Sequence, residues 1–253
     1  MYPIIFNYKF ITIGGFGVML ALASYLIFLI FERELKLKGI DPELAYKIII
    51  VIIPLGILGS KTFHILDYFD DFLRDPIGMI FSGSGLSVLG GFIFASIGGA
   101  LVVKKNKQNF LEITDAIAPA LAVGYGIGRI GCHVAGDGCY GLTTSSFLGV
   151  AYPNGIVPTS LPVFPTPLME SFFSLLLFAV LLQIRKINFA NGTIFFIYTL
   201  ISSISRFLIE FIRRNPKIFY NLSQAQVVSL IIILISLISL GLIQANQKKF
   251  TTP

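Results

Sequence analysis

Arg129, Arg206, Glu210 and Arg213 lie inside or at the ends of long apolar runs. A charged side chain there costs about 2.5–3.5 kcal/mol on insertion scales, so it normally faces a partner, a cavity or a ligand. In Ser205-Arg206-Phe207-Leu208-Ile209-Glu210-Phe211-Ile212-Arg213-Arg214 the charges fall at i, i+4 and i+7, which predicts one face of a helix. Guanidinium is the side chain best shaped to grip a phosphate with two parallel donors. An ion pair that merely locks helices together is the competing reading. One carboxylate cannot neutralise both Arg206 and Arg213, however, and Arg129 adds a further positive charge. The excess points to an anionic head group handled within a membrane.

Other segments carry weaker signals. Gly124-Tyr125-Gly126-Ile127-Gly128-Arg129-Ile130-Gly131 combines the arginine with glycines that permit close helix packing or close approach of a ligand. Gly83-Ser84-Gly85-Leu86-Ser87 precedes an apolar run and offers a helix N-terminus, whose free N–H groups suit an anion. Cys132, His133 and Cys139 fall together beyond Arg129. A zinc site would need a fourth ligand, His64 or Asp137, and the spacing matches no standard zinc pattern, so no metal and no cofactor are expected. A Cys132–Cys139 disulfide and two free thiols remain alternatives. His133 is a candidate general base, because imidazole titrates near neutrality, or simply a hydrogen-bonded loop histidine.

These residues need a membrane scaffold to hold them. The chain has 253 residues, 55% hydrophobic and 13% charged, with a mean hydropathy of +0.83. Soluble domains do not carry that balance. Apolar stretches at 13–31, 45–66, 86–103, 113–131, 167–184, 192–212 and 225–244 predict an all-α membrane protein with seven transmembrane helices. The expected organisation is one domain over 1–253, with an extracytoplasmic loop at about 132–166. Its prolines at 153, 158, 162, 165 and 167 exclude a regular helix there. Lys and Arg concentrate after the first, third, fifth and seventh stretches, which predicts the N-terminus outside and the C-terminus inside. The net charge of +6 follows from that bias and does not imply nucleic-acid binding. With this topology, Lys61, Arg129 and Arg206 to Arg214 all reach the outer half of the bilayer, where a single cavity is the simplest account.

The motifs now on the page resemble the prolipoprotein diacylglyceryl transferase family of bacterial inner-membrane enzymes. The similarity covers nearly the whole chain: Gly15-Phe16-Gly17, Gly56-Ile57-Leu58-Gly59-Ser60-Lys61, Gly85-Leu86-Ser87 with Gly90-Gly91, and Asp115-Ala116-Ile117-Ala118-Pro119. Its most specific parts are Gly128-Arg129-Ile130-Gly131, Arg206 through Arg213, and Gln226.

The resemblance implies transfer of a diacylglyceryl group from phosphatidylglycerol to the thiol of a lipobox cysteine in a preprolipoprotein signal peptide. Arg129 would hold the phosphate, Arg206 would stabilise the leaving group, and Glu210 would position both. Lys61, Gly90, Gly91, Gly131, Asp137 and Arg213 would complete the substrate site, and the active site would face the periplasmic or outer leaflet. The chain departs from the family at Leu89-Gly90-Gly91, where His-Gly-Gly is usual, leaving His133 as the replacement base. Ser202 stands where a tyrosine is expected, and Lys61 where an arginine is usual. A phospholipid-dependent transferase with another acceptor, or a non-catalytic phospholipid-binding protein of the same fold, are the alternatives.

Overall fold

The structure is a computed structural model that describes residues 1–8, 11–81 and 87–251. The expected helix start at Gly83 to Leu86 lies outside the described residues. The chain is mostly helical and divides into two compact units, residues 1–31 with 114–253, and residues 32–113. Among the described residues, six helices are long and apolar enough to cross a membrane. The protein is therefore a multi-pass membrane protein.

The larger unit opens with a hairpin of β1 (Ile4–Tyr8) and β2 (Ile11–Gly14), which feeds directly into α1 (Gly15–Leu37). In the smaller unit α2 (Glu43–Asp67) packs against α5 (Val88–Lys105), with two six-residue helices, α3 (Phe69–Arg74) and α4 (Pro76–Phe81), between them in sequence. The α2–α5 crossing is set by small residues. A Cβ on Gly59 would collide with the Gly90 carbonyl, and a Cβ on Gly90 with the Gly59 carbonyl. Lipid tails are as apolar as leucine, so close backbone approach rather than apolar burial favours such a pair.

In the larger unit α6 (Phe110–Ala135) runs beside α7 (Thr166–Ile184) and α8 (Thr193–Ile209). Ala118 and Ala122 of α6 meet Leu177 and Leu181 of α7 and Ile194 of α8 in a fully buried cluster. Polar contacts tie the same three helices. Ser174 Oγ donates to the Ala122 carbonyl at 2.7 Å. The buried Asp115 carboxylate accepts the N–H groups of Gly192 (2.7 Å) and Phe195 (2.8 Å), capping α8 from a neighbouring helix. Pro167 sits in the first turn of α7, where its missing N–H costs nothing.

Three features differ from the sequence expectation. Helix α6 continues through Cys132 and His133 to Ala135, so the connection to α7 begins later than residue 132. That connection is not featureless: β3 (Val150–Tyr152) pairs with β4 (Thr159–Val163), and Tyr140, Tyr152 and Val163 form a small core under it. A third hairpin, β5 (Lys217–Phe219) with β6 (Leu222–Ser223), precedes α9 (Gln224–Thr251). The hairpins make the chain mostly helical rather than wholly so.

Candidate functional site

The three arginines come together, although not on one helix face. Helix α8 ends at Ile209, and Glu210–Ile212 form a single 3-10 turn. Arg213 is extended, with φ −86° and ψ 161°, and bridges to Gly141. The Leu142 N–H donates to the Ile212 carbonyl at 2.8 Å. A side chain at 141 would strike that carbonyl, so the glycine lets the loop approach closely enough to draw Arg213 off the helix. The i, i+4, i+7 expectation is corrected here, because the bridge to residue 141 competes with a further helical turn.

The convergence survives through a carboxylate that is not among the sequence candidates. Glu170, in the first turns of α7, accepts from Arg206 Nη1 at 2.7 Å and from Arg213 Nη1 at 3.2 Å. Arg129 Nε lies 3.3 Å from the same carboxylate. Tyr125, one turn before Arg129 on α6, donates its hydroxyl to Glu170 Oε1 at 2.8 Å, and the Arg129 guanidinium stacks 4.9 Å from its ring centre. Glu210 Oε2 lies 2.8 Å from Arg206 Nη2 and 3.7 Å from Arg213 Nε. Its other oxygen accepts from Ser223 Oγ at 2.9 Å and from Asn215 Nδ2.

Ser223 and Gln226 form a reciprocal cap at the start of α9. Gln226 Oε1 accepts the Ser223 N–H at 3.0 Å, and Ser223 Oγ accepts the Gln226 N–H at 3.2 Å. The family-like glutamine thus fixes the helix end that holds Glu210.

Three guanidinium groups share two carboxylates, leaving one formal positive charge in the cluster. The exposures decide its orientation. The Glu170 and Glu210 side chains are 2% and 0% exposed, whereas those of Arg129 and Arg206 are 17% and 23% exposed. The carboxylates form a buried floor, and two guanidinium groups keep an accessible face. A cavity of about 160 Å³ opens beside Arg206, running from Glu170 to Val180 along α7 and from Arg206 back to Ile201 along α8. It is polar at the arginine end and apolar at the other. That shape suits an amphiphile with a small anionic head.

One turn beyond Arg129, Cys132 is buried and Cys139 is half-buried. Gly136 and Gly138 take left-handed φ values of +60° and +85°, which fold the chain back over the end of α6. The Sγ atoms of Cys132 and Cys139 and an Asp137 carboxylate oxygen then lie within 4.8 Å of one another. The Cys139 N–H donates to Asp137 Oδ1 at 3.0 Å, and the Cys132 thiol draws the Cys139 thiol down to about 7. His133 turns elsewhere: its Nδ1 pairs with the Tyr152 hydroxyl at 2.9 Å, and burial pushes that phenol up to about 12.

The remaining sequence candidates have their own places. Gly131 faces α1, where a Cβ would meet Met19 and Phe16 at 3.0 and 3.2 Å. Lys61, Gly90 and Gly91 belong to the smaller unit, with Gly90 and Gly91 packed on Gly59 and Ser60. Tyr125 and Glu170 were missed as site residues. A carboxylate in the first turns of an apolar span was the available signal for Glu170.

Fold and site together define a multi-pass membrane protein with a net-positive arginine cluster beside a largely apolar cavity. The model of the prolipoprotein diacylglyceryl transferase family matches residues 3–242, and the chain belongs to that family. It is similar to phosphatidylglycerol–prolipoprotein diacylglyceryl transferase 2 of Clostridium perfringens, 33% identical over 88% of each chain. The phosphatidylglycerol–prolipoprotein diacylglyceryl transferase of Dehalococcoides mccartyi is also 33% identical, over 98% of this chain and 95% of its own. That of Clostridium tetani is 30% identical over 94% and 96%.

Proposed function

We propose that the chain transfers a diacylglyceryl group from phosphatidylglycerol to the lipobox cysteine thiol of preprolipoproteins. The observation that carries this reading is the net-positive arginine cluster: Arg129 and Arg206 are half-buried above buried carboxylates, and Arg206 lies at the head of an apolar cavity. The phosphate lies on Arg129 and Arg206, and an acyl chain follows α7 and α8 toward Val180. The acceptor sulfur attacks the glyceryl carbon that bears the phosphate. A C–S bond forms, the C–O bond breaks, and glycerol phosphate leaves with the electron pair. Negative charge grows on the phosphate, so fixed guanidinium groups stabilise the transition state more than the ground state.

Glu170, Glu210 and Arg213 position the two working arginines. His133, whose Nδ1 pairs with the Tyr152 hydroxyl, serves as the base for the thiol proton in the tautomer that leaves Nε2 unprotonated. Gly131, Asp137, Lys61, Gly90 and Gly91 enter on their family motifs alone. Helix α5 is the seventh span. The N-terminus lies outside and the C-terminus inside the bacterial cytoplasmic membrane, with the site toward the outer leaflet, as the Lys and Arg distribution supports.

Complementation of a strain depleted of its own diacylglyceryl transferase tests the reading. The wild-type chain is expected to restore growth and lipoprotein processing, and Arg129→Ala to fail despite normal membrane insertion. Full complementation by His133→Ala would remove that residue from the reaction. Failure of the wild-type chain, with phosphatidylglycerol bound but no lipobox product, would favour another acceptor.

A further inference from the structure

The turn after α6 carries a cluster that the anion site does not use. Cys132, Asp137 and Cys139 each present one ligand atom, and the three lie within 4.8 Å of one another. The two residues that flank Asp137 are glycines in the left-handed region, Gly136 and Gly138. The Asp137 carboxylate is held in place by the Cys139 amide, and the Cys139 carbonyl is anchored by the Thr166 hydroxyl of α7 at 2.7 Å. A disulfide would need neither the carboxylate nor its orientation. Two thiolates and a carboxylate are a donor set for a soft divalent ion.

We propose that Cys132, Asp137 and Cys139 bind a zinc ion whose fourth position takes the acceptor thiol. This rests on the transferase reading above and adds a device to it. Three protein ligands with one open position are the arrangement of catalytic rather than structural zinc. A thiol that coordinates such an ion is held as thiolate at neutral pH. Cys132 lies three residues after Arg129 on α6, so a sulfur held there is one helical turn from the phosphate-binding guanidinium.

The step balances simply. The acceptor S–H proton is released to His133 or water as sulfur binds the ion. The bound thiolate attacks the glyceryl carbon, the C–S bond forms, and the C–O bond breaks. Glycerol phosphate departs with the C–O electron pair, and the neutral thioether, a weak ligand, leaves the ion. A metal-held thiolate lessens the demand on a protein base.

The test uses the full-length protein purified under reducing conditions, with cobalt(II) as the spectroscopic probe and zinc content measured by elemental analysis. One ion per chain with a sulfur-to-cobalt charge-transfer band is expected. Cys132→Ser and Cys139→Ser should each abolish the band, and Asp137→Ala should weaken affinity at least about tenfold. Chelation should slow transfer to a lipobox peptide and leave phosphatidylglycerol binding unchanged, with zinc restoring the rate. Metal content unaltered by all three substitutions would mean an adventitious ion only and overturn the proposal. So would reduced protein that shows no thiolate band, or protein isolated fully active with Cys132 and Cys139 joined as a disulfide. Arg129→Ala separates the two readings, since it should stop transfer and leave the cobalt spectrum intact. A wild-type protein that binds cobalt through both sulfurs yet transfers nothing would sink the transferase reading and support the metal site.

Discussion

Two polar centres lie one turn apart on α6, and they are built in opposite ways. The arginine cluster draws on residues from 125 to 223, with Glu170 reaching partners 36 to 45 positions away. The thiol turn is local, closed within residues 132–139 by two left-handed glycines. The first has its charges largely satisfied and depends on several helices staying in register. The second depends on one short turn, anchored by the Thr166 hydroxyl and the Val157 N–H. Damage to the arginine cluster should therefore cost both stability and activity, whereas damage to the turn should spare the fold.

Substitutions sharpen that contrast. The largest effect is expected from Glu170→Ala, which leaves three guanidinium groups with Glu210 as their one remaining carboxylate. Removing one partner of a buried pair typically costs about 3–5 kcal/mol, measurable as a lowered unfolding midpoint in detergent. Arg206→Ala should lower glycerol phosphate release about 10²–10³-fold while binding of the lipobox peptide persists. Tyr125→Phe removes one hydrogen bond to a charged group and should cost about 1.5–3 kcal/mol of stability in the same unfolding assay. Asp115→Ala uncaps α8 far from the arginines. It should cost about 1 kcal/mol, with hydrogen exchange rising first at Gly192 and Phe195. If Asp115→Ala proved as damaging as Glu170→Ala, the division between working cluster and scaffold would be wrong.

Much of this was legible in the sequence because hydropathy reports spans directly. The expected 167–184 stretch is α7, Thr166–Ile184, and 45–66 is α2, Glu43–Asp67. Seven spans and their orientation stay with the proposal, since six helices among the described residues meet the length and hydropathy needed to cross. The hairpins escaped notice because strands of two to five residues leave too short a period to read. Arg206, Glu210 and Arg213 were read as one helix face. They do converge, but by a bridge between Gly141 and Arg213 that no local pattern announces. Glu170 stood out only as a lone carboxylate, since every partner it has is distant in sequence. Ser223 and Gln226 did carry a local signature, the Ser-x-x-Gln of a reciprocal cap, and it went unread.

The most direct measurement is transfer by purified protein given phosphatidylglycerol and a lipobox peptide, read as the mass of diacylglyceryl added to the peptide cysteine. Wild-type protein should yield the thioether with matching release of glycerol phosphate, and folded Arg129→Ala protein should yield neither. Undiminished transfer by Arg129→Ala would contradict the assignment of the phosphate to the arginine cluster.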